Sequence, residues 1–79
     1  MPGLGLGLGP VLGGACRVLD EQGRQVGNLK LIGGRWKFKA IGHDAQGQLV
    51  PGGGPLTERH NMSFDPLDAA EISARLLAG

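Results

Sequence analysis

Gly34-Arg35-Trp36-Lys37-Phe38-Lys39-Ala40-Ile41-Gly42 is the stretch whose reading decides the fold of this 79-residue chain. Its even positions Trp36, Phe38 and Ala40 are apolar, while Arg35, Lys37 and Lys39 are cationic. Successive side chains of a strand point to opposite faces, so the alternation predicts a strand with aromatics on one face and charge on the other. Glycines punctuate both ends. This is the expected central strand of a small sheet.

The chain on either side supplies its neighbours. Residues 25–32 read as a strand with Leu29 and Leu31 on one side and Asn28 and Lys30 on the other. Gly33-Gly34 then makes a two-residue hairpin loop, because only glycine enters positive φ at both positions without penalty. Before it, Cys16 and Val18 alternate with Arg17 in a first strand. After it, the chain turns at residues 44–47 into a short fourth strand over 48–50. Asp20-Glu21-Gln22-Gly23-Arg24-Gln25-Val26 and Asp44-Ala45-Gln46-Gly47-Gln48-Leu49-Val50 share one pattern. Both read as turns in which Asp accepts from backbone amides and Gly takes the left-handed position. Neither turn has the carboxylates of a calcium cage.

The ends differ in kind. Residues 1–14 hold six of the sixteen glycines and read as a Gly/Leu-rich flexible arm, whose Leu4, Leu6 and Leu8 could add an edge strand in cis or across a dimer. Gly9 and Gly14 have P-loop spacing, but Ala15-Cys16 replaces the Lys and Ser/Thr that hold phosphate and magnesium. Small residues before Cys16 suggest a lipoprotein signal, but the basic n-region is missing. The ordered domain is expected over 15–79. Pro51-Gly52-Gly53-Gly54-Pro55 reads as a flexible joint between two stiff ends that closes the sheet, followed by a polar loop over 56–64. That loop holds Glu58, Arg59, His60 and Asn61, the densest set of polar groups, and is the first candidate for a contact surface. A helix is expected over 66–78, with Asp65 as N-cap, Pro66 in its first position and Gly79 at its C-cap. Asp68, Glu71 and Arg75 form its charged stripe, and the rest of its circumference is apolar, which suits a cleft or a second subunit.

A chain this short forms one domain and buries a modest core, so self-association is a reasonable source of stability. The single cysteine excludes an internal disulfide and a thiolate cluster. No apolar run reaches the roughly 18–20 residues of a membrane span, and a cytoplasmic setting is expected. Net charge is only +1, but it is divided. Residues 15–43 carry six Lys/Arg against two Asp/Glu, a net of +4, and residues 44–79 carry two against five, a net of −3. The two halves attract on folding, or the basic face serves an anionic partner. His43, His60 and Cys16 have no spacing that specifies nucleophilic chemistry or a metal site, so no catalytic residue, metal or cofactor is expected.

The run from Gly27 to Gly42, with its Gly-x-Leu strand, glycine turn and Trp-Lys-Phe-Lys-Ala strand, resembles the final hairpin of TerD-family bacterial stress and tellurium-resistance proteins. The resemblance covers about a fifth of the chain and implies a bacterial, stress-related setting. That family's domains resemble β-sandwiches of more than twice this length, with calcium-binding acidic clusters that this sequence lacks.

The expected architecture is α+β: an antiparallel β-meander of three to four strands with one C-terminal helix packed on the sheet. The expected role is a small non-enzymatic protein-interaction module, in a homodimer or with a protein partner, using the helix or the arm as interface. The alternative is a weak single-stranded nucleic-acid binder using Arg35, Lys37 and Lys39; Trp36 exposed beside the lysines would favour it, and Trp36 buried would favour the interaction module.

Overall fold

A computed structural model describes residues 5–65 and 67–78. Six strands form one antiparallel sheet: β1 (Gly7–Leu8), β2 (Ala15–Leu19), β3 (Gln25–Ile32), β4 (Arg35–His43), β5 (Leu49–Pro51) and β6 (Ser63–Phe64). Strands β1 to β5 lie side by side in chain order, and β6 pairs with β4 beside β5. A 3₁₀ turn spans Thr57–Arg59, and one helix, α1, spans Ala69–Leu77. The architecture is α+β as expected, with more strands than the expected three or four. The extra pairs come from the glycine-rich arm, whose leucine alternation adds the edge strand expected of it in cis, and from the polar loop, a short segment that carries no strand periodicity of its own.

The hairpin at the centre follows from its turn. Gly33 and Gly34 have φ of 58° and 81°, and the loop closes on the pair Ile32 and Arg35. That register puts Leu31 opposite Trp36, Leu29 opposite Phe38 and Gly27 opposite Ala40 on one face. β2 adds Cys16 opposite Leu29 and Val18 opposite Gly27. Phe64 joins from β6, opposite Trp36. This face is the core, and Ile72 and Leu76 of α1 are buried against it. Gly27 is buried because the Phe38 ring lies across it.

The two Asp-x-Gln-Gly turns have one geometry. Asp20 Oδ1 accepts from the amides of Gln22 and Arg24, and Asp44 Oδ1 accepts from those of Gln46 and Gln48. Gly23 and Gly47 have φ of 82° and 80°. In the arm, Leu8 opposes Val18, and Leu6 and Leu8 pack against the core. The Leu6 amide donates to Ser73 Oγ of α1 at 2.9 Å, which ties the arm to the helix.

The 51–55 joint is held rather than free. Pro51 belongs to β5, and the Gly52 amide donates to the Ala40 carbonyl at 2.8 Å. Gly42 and Gly54 pack backbone to backbone; a Cβ on Gly42 would stand 2.8 Å from the Gly54 Cα.

The helix begins later than its expected start at 66. Its N-cap is Asp68, whose carboxylate accepts from the amides of Ala70 and Glu71, two donors that a helix start leaves without partners. Asp65, the expected cap, instead pairs with Arg35 at 2.8 Å. Pro66 and Gly79 lie outside the described residues. Glu71 and Arg75 form the expected i,i+4 pair at 3.7 Å, and the Arg75 guanidinium sits 4.7 Å from the Phe64 ring centre. Of the wide apolar arc only Ile72 and Leu76 are buried, so Leu77 and the alanines Ala69, Ala70 and Ala74 remain exposed.

Candidate functional site

The middle of the sheet face opposite the core is open, because α1 packs on the other side, whereas Ile41 on the same face is buried toward β5. The same register that buries Phe38 aligns the odd positions of β4 on this face. Lys30 stands directly opposite Lys37, Asn28 opposite Lys39, and Arg17 opposite Asn28. Among the described residues the ion pairs are Arg24–Asp20, Arg35–Asp65 and Arg75–Glu71. Arg17, Lys30, Lys37 and Lys39 have no carboxylate partner there. The face is therefore a cationic surface with an amide at its centre.

On the β5 side it deepens into a groove of about 340 Å³, bordered by Asn28, Lys30, Lys39, Ile41, Leu49 and His60. Asn28 also borders a second groove of about 340 Å³ toward Pro10, Leu12 and Arg17. Second hydrogen bonds orient most of the polar groups of the first. Lys39 Nζ donates to Asn61 Oδ1 at 2.6 Å, and Asn61 holds a φ of 74° that is unusual for a residue with a side chain. Gln25 Nε2 donates to Asn28 Oδ1 at 2.8 Å, which turns the Asn28 amino group outward. The Ala40 amide donates to His60 Nδ1 at 3.0 Å, so a neutral His60 carries its proton on Nε2.

His60 has a structural part as well. The outer edge of β4 passes from β6 to β5 between Phe38 and Ala40. Met62 and Asn61 serve the Phe38 amide and carbonyl, Gly52 serves the Ala40 carbonyl, and the imidazole serves the buried Ala40 amide. His60→Ala strands that amide, and chemical denaturation should show a loss of about 1–3 kcal/mol. His60→Asn can place an oxygen near the Nδ1 position and should recover most of it.

The sequence-predicted contact residues divide. Lys37 and Lys39 stand on the open face, with His60 and Asn61 beside Lys39. Arg35 lies at the hairpin end, paired with Asp65. Glu58 and Arg59 lie elsewhere, at the far end of α1 beside Leu76 and Leu77. Arg59 donates to the Ala78 carbonyl, where a cation complements the helix C-terminus, and its Nε is buried with no partner. Sequence reasoning did not place Arg17, Gln25, Asn28 and Lys30 in a site. The hairpin register, which pairs 30 with 37 and 28 with 39, is the signal that could have found them.

Cys16 lies on the core face and His60 on the open face, so the sheet separates the one nucleophile from the imidazole. Burial pushes the Cys16 thiol up from its ordinary value. A raised thiol pKa favours the folded state below the unfolded pKa and withdraws that support as pH climbs through the folded value. Stability should therefore fall more steeply above about pH 8.5 in the native protein than in Cys16→Ala, in urea titrations across that range. Among the described residues no three His, Cys, Asp or Glu side chains cluster as metal ligands, and no helix is long and apolar enough to cross a membrane.

Comparisons with family models, curated proteins and solved structures gave no match to this chain.

Proposed function

We propose that the protein is a small non-enzymatic protein-interaction module whose working surface is the open cationic face of its sheet, and whose partner is an acidic segment of another protein. One observation supports this above the others: Lys30 and Lys37 oppose each other on an uncovered face, with Arg17 and Lys39 beside them and no carboxylate to pair them. Like charges directly opposite weaken a strand pair, so the arrangement contributes nothing to the fold that would explain it. An acidic partner would relieve that repulsion on binding.

The rival reading is single-stranded nucleic acid. A chain of phosphates would suit the cations, but Trp36 and Phe38 belong to the core face, opposite the lysines, where Trp36 is half-buried and Phe38 fully buried. Base stacking has no aromatic platform beside the lysines. The aliphatic groove wall of Ile41, Leu49 and Pro51 suits a polypeptide better than a phosphate backbone. Strand addition at the sheet edges has little support. β1 is two residues long with Pro10 close behind it, and β5 is three residues long and ends in Pro51. The TerD-like hairpin is β3–β4 itself, and the resemblance supports a bacterial stress setting for the module.

The test is fluorescence anisotropy with two labelled probes, a twelve-residue peptide alternating Glu and Leu and an oligothymidylate, each at low and moderate salt. The peptide should bind more tightly at both salt concentrations. Tighter oligothymidylate binding, weakening steeply with salt, would reverse the assignment.

A further inference from the structure

We infer that the β5-side groove is a carboxylate-reading pocket, which takes one Asp or Glu side chain of the partner together with an adjoining aliphatic side chain. The inference rests on the proposed function and narrows it from a charged surface to a site with a defined occupant.

The Asn28 oxygen is occupied by Gln25, leaving its amino group as a donor. The His60 Nδ1 is occupied by the Ala40 amide, leaving Nε2–H as a donor. Lys39 gives one of its three protons to Asn61, which fixes the ammonium at the groove and leaves two. Lys30 has no carboxylate partner on the described chain. Every side-chain polar group bordering the groove thus offers protons, and the one side-chain oxygen among them already accepts from Gln25. An ionised carboxylate is acceptor-only, with about four lone-pair sites, and matches such a set. A hydroxyl or amide would leave its own protons unmatched.

Orientation adds to the match in charge. Three of the four donors are held by a second hydrogen bond, so little side-chain freedom remains to be lost on binding. Four mobile surface lysines would attract anions without distinguishing them. Beside the donors stand Ile41, Leu49 and Pro51, and Leu49 is 58 % exposed. A large aliphatic side chain so exposed beside an oriented donor cluster gives the occupant its second half, an aliphatic neighbour to the carboxylate. The volume, about 340 Å³, is at the lower end of ligand sites and admits one or two side chains.

Two substitutions separate the pocket from the general charge of the face. Asn28→Asp keeps an oxygen for Gln25 and sets a negative charge where the carboxylate would bind. Leu49→Ser removes the aliphatic wall from an exposed position. The probes are the labelled Glu–Leu peptide, its Gln–Leu counterpart and an oligoglutamate of equal length. The Glu–Leu peptide should bind best. Asn28→Asp should weaken it at least about tenfold, and Leu49→Ser should reduce it to the level of oligoglutamate. Arg17→Ala, on the face but outside this groove, should weaken Glu–Leu and oligoglutamate by the same factor. If Arg17→Ala weakens binding while Asn28→Asp and Leu49→Ser leave it unchanged, the pocket is overturned and the acidic-partner reading stands. If the native protein binds oligothymidylate and none of the acidic peptides, both fall.

Discussion

Gly27→Ala should destabilise this protein by roughly 3 kcal/mol or more in denaturant titrations. The effect is one of space. Gly27 lies in the middle of β3 opposite Ala40, and the Phe38 ring, on the diagonal position of β4, occupies the volume where a side chain would begin. A Cβ there would also stand 2.7 Å from the Lys39 carbonyl oxygen, so moving the ring would not make room. β3 and β4 would have to separate at the centre of the sheet. A domain of this size has on the order of 4–12 kcal/mol in total, so the variant should be partly unfolded at 37 °C. Gly27→Ala/Phe38→Leu should cost less than the sum of the single changes, because the smaller side chain concedes part of the disputed volume. Strict additivity in that double-mutant cycle would show that the ring and the glycine are independent.

Lys37→Glu should move stability and binding in opposite directions. It converts the repulsive pair with Lys30 into an attractive one, and opposed charges across a strand pair contribute about 0.2–1 kcal/mol. The melting temperature should rise by several degrees, since about 1 kcal/mol corresponds to roughly 4–8 °C for a domain of this size. The same change puts an acidic group on the floor of the open face. Affinity for the Glu–Leu peptide should fall at least about tenfold. A variant that is more stable and binds equally well would remove the open face from the function. One that is less stable would show that the native lysines do not repel each other in place.

The sequence was most informative where a local rule acts alone. Gly33-Gly34 specified a two-residue turn, and that turn set the register that buries Phe38 and leaves Lys37 on the other face. The Asp20 and Asp44 turns were legible for the same reason, since their hydrogen bonds close within five residues. Elements made by distant partners were harder to read. β6 has two residues and no period, and only the exposed edge of β4 makes it a strand. The helix start was misplaced because two aspartates compete for the cap, and Arg35, thirty residues away, engages Asp65. The groove combines both cases. Lys37 and Lys39 followed from alternation and Lys30 from register, but the orientation of Asn28 by Gln25 and of His60 by Ala40 depends on side-chain geometry.

The bond from the Leu6 amide to Ser73 Oγ spans 67 positions of sequence, whereas β2, β3 and β4 each pair with the next strand along the chain. Contacts of short sequence separation form early and cheaply in loop entropy, so the meander can assemble before either end of the molecule is in place. The arm and the helix then act as a clasp, with one laid along β2 and the other across the apolar face. Opening the clasp breaks none of the β3–β4 backbone hydrogen bonds, and it uncovers Val18, Cys16 and the underside of Phe38. This connectivity predicts a seam: in hydrogen exchange the amides of the arm and α1 should open before those of the β3–β4 hairpin.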